Sequence, residues 1–491
     1  MEFFSTRNAE HKVSASQAIA QGLSEEGGLF VPAEFPAVDL AAACAMEYPA
    51  LAAYILKQFL TDYKPEFLEQ AAAAAYGEAF GGKAGHLEQV NENTWSLELW
   101  HGPTCAFKDY ALQLMPKLLV EAKKNLGRTE HTLILVATSG DTGKAALDGY
   151  KDIPGVSIVV FYPNNGTSEI QRLQMATQEG GNVAVYAVQG NFDDAQTGVK
   201  RAFADKQLAA ELAEKNVVLS SANSINWGRL VPQIVYNFAA YGQLVRSGKV
   251  NMGEKVDFCV PTGNFGDILA GYYAKRMGLP VGTLVCASNR NNVLTDFFAT
   301  GTYNARRDFY RTTSPSMDIL VSSNLERLLY HLGGSDAKVA EWMGSLNREG
   351  SYTVDEATMA AIRADFAYGC CNDDEQVAAE IKSIYEKDGY LCDTHTAVAF
   401  KVAREYCADH DSDAPMVVLS TASPFKFPRD VLAALGSQAP AGDFEAMKGL
   451  EQLTGVQAPV SLAGLRGKAE RFTAVIEKDG IADVARNACE G

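Results

Sequence analysis

The chain contains no CxxC pair and no HExxH, and its seven histidines are scattered. Its nine cysteines (Cys44, Cys105, Cys259, Cys286, Cys370, Cys371, Cys392, Cys407 and Cys489) are odd in number and unclustered. A disulfide scaffold and a zinc site are thereby excluded, no metal is expected, and the thiols read as reduced. Basic residues are also short: 43 Lys and Arg stand against 60 Asp and Glu, a net charge of −17. Nucleic acid and anionic membranes need clustered cations, so neither is expected as a partner. No run approaches the ~20 apolar residues of a membrane span. The opening "MEFFSTRNAEHKVS" lacks the basic-then-apolar order of a signal peptide. A cytoplasmic protein is the expectation. GxGxxG after an early strand is missing, as is GxSxG, which removes the usual hydride-transfer and hydrolase signatures. Gly140 to Lys144 superficially suggests a nucleotide P-loop, but it is two residues short and Ala145 replaces the metal-binding hydroxyl.

What is present is one repeated grammar. Seven short apolar runs each lead into small polar residues: "TLILVA" into "TSGDTG", "SIVVFY" into "PNNGTSE", "VAVYAV" into "QGNFDD", "NVVL" into "SSANSINWGR", "VDFCV" into "PTGNFGD", "TLVCA" into "SNRNN", and "MVVL" into "STASPFKFP". Runs apolar on both faces fit parallel strands covered by helices. Strand, loop and helix in alternation predict open α/β sheets, with ligands at the carboxyl ends of the strands. A length of 491 residues suits two or three domains. Residues 1–93 read as mainly helical, 94–430 as a core of two α/β subdomains with the active site between them, and 431–491 as a helical extension. A further helical stretch is read over 354–408, with a helix starting near Thr394.

Two of the loops suit anions. "PTGNFGD" (261–267) puts two glycines before a helix start, where bare N–H groups and the helix dipole favour a phosphate. "ATSGDTGKAAL" (137–147) adds the hydroxyls of Thr138, Ser139 and Thr142 and suits a carboxylate; Lys144 in it reads as a solvated helix lysine. "HGPTCAFKDYALQLM" (101–115) sets Lys108 among apolar and aromatic residues. Desolvation lowers the pKa of such an amine, and a neutral amine can form a Schiff base with an aldehyde. An aldehyde cofactor bearing a phosphate, with a substrate bearing a carboxylate, would use all three features. Pyridoxal 5'-phosphate with an amino acid meets that description.

"HGPTCAFKD", "ATSGDTG", "NSINWGRLVPQIVYNF", "PTGNFGDILAGYYAKRMGLP" and "STASPFKFP" occur in this order, and together the chain resembles the threonine synthases, in particular their longer microbial and fungal branch. The resemblance covers roughly residues 1–430. It implies the pyridoxal-phosphate fold type II, an α/β architecture of two open, mostly parallel sheets with an extra helical N-terminal region. It also implies conversion of O-phospho-L-homoserine and water into L-threonine and phosphate. Carried over by motif, Lys108 is the Schiff-base lysine. Gly263, Asn264, Phe265, Gly266 and Asp267 form the cofactor-phosphate loop. Thr138, Ser139, Gly140 and Thr142 face the substrate carboxylate, Asp141 lies near the cofactor, and Thr421 partners the pyridine nitrogen.

Candidates for the substrate phosphate are Asn226, Arg229, Arg172 and Arg290, while His395 reads as structural. The resemblance leaves the oligomer as monomer or homodimer. Competing readings are a serine or threonine dehydratase of the same fold, a related lyase acting on another phosphorylated amino acid, and a non-enzymic binding protein. The last has no use for two anion loops and a desolvated lysine.

Overall fold

The computed structural model describes residues 1–164 and 167–488, so Cys489 and part of the "PNNGTSE" loop lie outside the described residues. The chain opens with three strands, β1 (Glu2–Ser5), β2 (Asn8–Ser14) and β3 (Phe30–Pro32), in an antiparallel sheet ordered β2-β1-β3. The helical reading of this region applies further on, to Leu40–Ala45, Tyr48–Phe59 and Pro65–Tyr76. The sheet left no mark in the sequence because β2, "NAEHKVS", alternates exposed with half-buried residues and carries no apolar run.

β4 (His86–Gln89) and β5 (Thr94–Glu98) form a hairpin ahead of the lysine segment. β6 (His131–Ala137), β7 (Val156–Pro163), β8 (Val183–Gln189) and β9 (Val217–Ser220) follow, then β10 (Val256–Pro261) and β11 (Val281–Ser288). A short antiparallel pair, β12 (Thr302–Asn304) with β13 (Ser351–Thr353), is succeeded by β14 (Phe366–Cys370), β15 (Met416–Ser420) and β16 (Val475–Glu477). All seven apolar runs are strands. The larger sheet has the order β14-β11-β10-β15-β5-β4, parallel except for its β4–β5 edge. The smaller has the order β16-β8-β7-β6-β9 and is parallel throughout. β10 and β15 are buried along their whole length, which explains their lack of polar alternation.

Two segments depart from the helical reading. Helix Glu356–Asp365 stops, and "FAYGC" becomes β14 on the edge of the larger sheet. Its aromatic residues suit a strand, and a side chain at Gly369 would meet Val402 at 2.8 Å. The last residues include β16, which closes the β8 edge of the smaller sheet. Before it, helix Asp443–Thr454 packs on Pro428–Ala434 and on Glu169–Ala176. After it, helix Ile481–Asn487 packs on Phe192–Ala204 and Lys206–Glu214. Among the described residues, no helix is long and apolar enough to cross a membrane.

Candidate active site

Strand ends from both sheets converge on one place. After β5 the chain turns through Cys105, which has φ of +60°, and Ala106 bridges Ala422 beyond β15. The Phe107 N–H donates to the Thr421 carbonyl at 2.9 Å. Lys108 therefore starts helix Lys108–Leu112 at the end of the larger sheet. Its Nζ lies 3.4 Å from Ser316 Oγ and 4.7 Å from the centre of the Phe107 ring. Burial drives the Lys108 pKa down; Asp141 and Asp267 pull it up, while Lys426 and Arg229 push it further down.

Asp141 begins helix Asp141–Tyr150 after β6 and is buried. One carboxylate oxygen, Oδ1, accepts from Lys426 Nζ at 2.7 Å and from Gln171 Nε2 at 2.9 Å. The other, Oδ2, faces Ser316 Oγ at 3.5 Å. Burial works to raise this carboxyl, but the Lys426 and Lys108 charges outweigh it and hold it below the usual range. Lys426 is fully enclosed and also donates to the Thr104 carbonyl at 3.0 Å. The turn before Asp141 is closed by Thr138, whose Oγ1 accepts the N–H groups of Gly140 and Gly143, both at 3.0 Å. Gly140 has φ of +153°, and a side chain there would meet Gln171 at 2.5 Å. The hydroxyls of Ser139 and Thr142, both half-buried, bond to none of the described residues and face no competing partner. Lys144 is not solvated as read: it bonds Asp148 at 3.3 Å, and Gln178 as well.

The second anion loop follows β10. Phe265 holds a left-handed φ of +66°, fully buried between the rings of Phe298 and Phe366. A phenylalanine in that conformation persists only where packing over-determines it. The turn starts helix Gly266–Arg276, whose first N–H groups have no intrahelical acceptor. At Gly266 an added Cβ would come no nearer than 3.6 Å to Asn324 and Gln233, and φ is not positive. The protein's own packing therefore does not require glycine at 266, and a glycine there leaves the first backbone donors of the helix uncovered by a side chain of its own, as a phosphate cradle needs. Gly263 is glycine for a different reason: a Cβ would meet the Ser316 carbonyl at 2.8 Å. Asn264 is exposed, and its carbonyl accepts from Asn324 N at 3.0 Å. Burial pushes the Asp267 carboxyl up to about 6, although the Ile268 N–H and the Lys108 charge draw it down. Thr421, 6% exposed, has a hydroxyl that bonds to none of the described residues.

Of the four phosphate candidates, the fold commits three elsewhere. Asn226 caps helix Trp227–Arg246 by accepting from Gly228 N at 2.8 Å, and its Nδ2 donates to Ile19 O at 2.9 Å. The amide oxygen and one of its two N–H donors are thus engaged within the fold. Arg172 forms a two-pronged pair with Glu470, at 2.6 and 2.8 Å. Arg290 is exposed and stacks 3.8 Å from the centre of the Tyr310 ring. Arg229 is the exception. It is 3% exposed, donates Nη1 to Ala222 O at 2.8 Å, and leaves its buried Nε without a partner. Burial lowers its pKa to about 10, so it remains a cation at neutral pH. His395 holds Asp393 with Nδ1 at 2.8 Å and accepts the Ser316 N–H with Nε2 at 3.1 Å. Its helix begins at Thr394.

The sequence reading missed Lys426, Gln171 and Ser316. "SPFKFP" carried the same signal as the Lys108 stretch, a lysine among apolar residues, whereas Ser316 sits in a long loop with no motif. Among the described residues, no cluster of His, Cys, Asp and Glu is arranged to hold a metal.

Comparison with known proteins follows the same segments. Family models match as "Threonine synthase N terminus" over 2–76, "Pyridoxal-phosphate dependent enzyme" over 83–369 and "Threonine synthase, C-terminal" over 396–485. Human threonine synthase-like 1 is 41% identical over 456 residues, 88% of this chain; the chain spans 60% of that relative's length. Threonine synthase of Pseudomonas aeruginosa is 39% identical over 488 residues, which is 95% of this chain and 100% of the relative. The crystal structure of PLP-bound threonine synthase from Brucella melitensis matches 100% of both chains with a TM-score of 0.89 at 37% identity.

Proposed function

The chain belongs to the threonine synthase family, and from that premise we propose that it converts O-phospho-L-homoserine and water into L-threonine and phosphate with pyridoxal 5'-phosphate. The observation that carries this reading is the pairing of a desolvated Lys108 amine with a glycine at 266 that no protein neighbour requires. A cofactor with an aldehyde at one end and a phosphate at the other accounts for both. Lys108 would hold the aldehyde, the backbone of Gly263 to Asp267 the phosphate, and the unpartnered Thr421 hydroxyl the ring nitrogen. When bound, the cofactor supplies an electron-withdrawing ring next to the substrate α-carbon.

The chain's own residues do the rest. The Lys108 amine, whose charge burial disfavours, takes the α-proton and returns protons as the reaction closes. Ser139, Thr142 and the bare N–H groups beginning helix Asp141–Tyr150 bind the substrate carboxylate. Arg229, with Nε free, receives the phosphate that leaves the γ-carbon as water adds at the β-carbon. Asp141, held ionised by Lys426, keeps an anion beside Lys108. The same reading takes the protein as cytoplasmic, a monomer or homodimer, with no nucleic-acid partner; its net charge of −17 and the unpaired thiols of the eight described cysteines support it.

Purified protein given O-phospho-L-homoserine should release phosphate and threonine in equal amounts. Lys108→Ala should abolish turnover and remove the borohydride-sensitive visible absorption. A dehydratase of this fold would instead release a keto acid from serine or threonine, and that outcome would displace the proposal.

A further inference from the structure

A loop that belongs to neither anion site reaches the reactive lysine. Residues 305–324 have no regular structure beyond the single turn Pro315–Met317, yet they are tightly held. Long loops without regular structure inside compact domains are usually functional. Asp318 accepts from Asn289 Nδ2 at 2.8 Å, Asn291 Nδ2 at 2.9 Å and Thr312 Oγ1 at 2.7 Å. Thr313 donates N–H and hydroxyl to Asp374 at 3.1 and 3.0 Å. Ser316 itself is fixed through its backbone. Its N–H donates to His395 Nε2, and its carbonyl lies where a Gly263 side chain would be. His395 can accept there because its Nδ1–H donates to Asp393 Oδ1, which leaves the Nε2 lone pair for the Ser316 N–H. Asp393 is fully buried and is bonded in turn by the His395 N–H and the Thr396 hydroxyl.

We propose that Ser316 is a positioning residue for Lys108: its hydroxyl spans the Lys108 amine and the Asp141 carboxylate, and the Asp393–His395 pair holds it in place. The donor inventory sets the direction of the bridge. A carboxylate only accepts, so the Ser316 O–H points to Asp141 Oδ2, at 3.5 Å. That leaves an oxygen lone pair facing Lys108 Nζ, at 3.4 Å. The amine is thereby given an acceptor that favours its protonated form. Burial works against the charge on Lys108, Asp141 and Asp267 favour it, and Lys426 and Arg229 oppose it. The Ser316 oxygen adds to the favourable side. The inference rests on Lys108 being the base of the proposed reaction, but its test needs neither cofactor nor substrate.

Trace acetylation of the cofactor-free protein across pH, with Lys108 quantified by peptide mass spectrometry, gives the midpoint of its titration. Ser316→Ala should lower that midpoint by about 0.5–1 pH unit, as loss of a weak bond to a charged group implies. Ser316→Thr, which keeps the hydroxyl, should stay near the parent. His395→Phe should reproduce part of the shift with the Ser316 hydroxyl intact. If Ser316→Ala does not fold, Ser316→Cys, of similar volume but a poor acceptor, gives the same reading. In the holoenzyme the acid limb of kcat/KM should move in the same direction. A Ser316→Ala midpoint equal to or above the parent's overturns the assignment, whatever the protein's substrate proves to be.

Discussion

At the scale of single residues, the site is a set of buried charges whose partners fix their ionisation. Asp141 and Lys426 are enclosed together at 2.7 Å. Such a pair adds little net stability compared with apolar residues, although breaking one half is costly. Its value here is an anion held next to Lys108. Asp267 is the opposite case, a buried acid with no cation bonded to it. Its folded pKa of about 6 lies above the usual ~3.9 of an unfolded Asp. Between those values the native state binds more protons than the unfolded one, so this group's contribution to stability falls as pH rises from about 4 to 6. Asp267→Asn should therefore stabilise the cofactor-free protein by up to about 2–3 kcal/mol above pH 6, with no gain below pH 4. Thermal unfolding of both proteins across pH checks this; a difference independent of pH would mean that the acid is not desolvated.

At the scale of elements, the two glycines of the 261–267 loop serve different purposes. Gly263 is packed against backbone, whereas at Gly266 an added Cβ would make only ordinary contacts, at 3.6 Å with Asn324 and Gln233, beside the first N–H groups of the helix. Gly263→Ala should destabilise the cofactor-free fold, because the Ser316 carbonyl at 2.8 Å cannot move without its loop. Gly266→Ala and Gly266→Val should leave the melting temperature of the cofactor-free protein within a few degrees of the parent. Both should weaken pyridoxal phosphate binding, Val more than Ala. Melting curves and a fluorescence titration with the cofactor separate the two effects. Equal cofactor affinity in all three proteins would reduce the 266 loop to an ordinary turn.

At the scale of the whole molecule, the C-terminal segment ties distant elements together. Helix Asp443–Thr454 touches helices Pro428–Ala434 and Glu169–Ala176, and Glu470 pairs with Arg172 on the second of these. β16 then covers the β8 edge, which protects an otherwise open strand. Ile481 anchors the end, 1% exposed in a cluster with Val199, Leu208 and Leu212. Ile481→Asp would bury an unpaired carboxylate there. Hydrogen exchange over 475–488 should accelerate at least tenfold, while Lys108 still captures the cofactor, because none of the proposed site residues is a member of this cluster. Unchanged exchange would show that the segment is held by β16 alone.

The sequence by itself determined what depends on neighbouring residues. Seven apolar runs became strands, and the central ones, β10 and β15, are unbroken because burial on both faces of a parallel sheet demands it. The loops at their ends showed their donors, and Lys108 showed its surroundings, because turn chemistry and local polarity are written in consecutive positions. Tertiary structure alone decided what depends on partners distant in the chain. β14 took its form from the β11 edge rather than from the helix before it. Asn226 gained a helix-capping role, with Ile19 supplying a second bond from a distant part of the chain. Asp141 acquired its charge state from Lys426, and Lys108 its hydroxyl neighbour from a loop that begins almost 200 residues further on. Hydrophobic pattern is local, but the pairing of buried polar groups is not, since any donor that the fold brings within reach can satisfy a given acceptor.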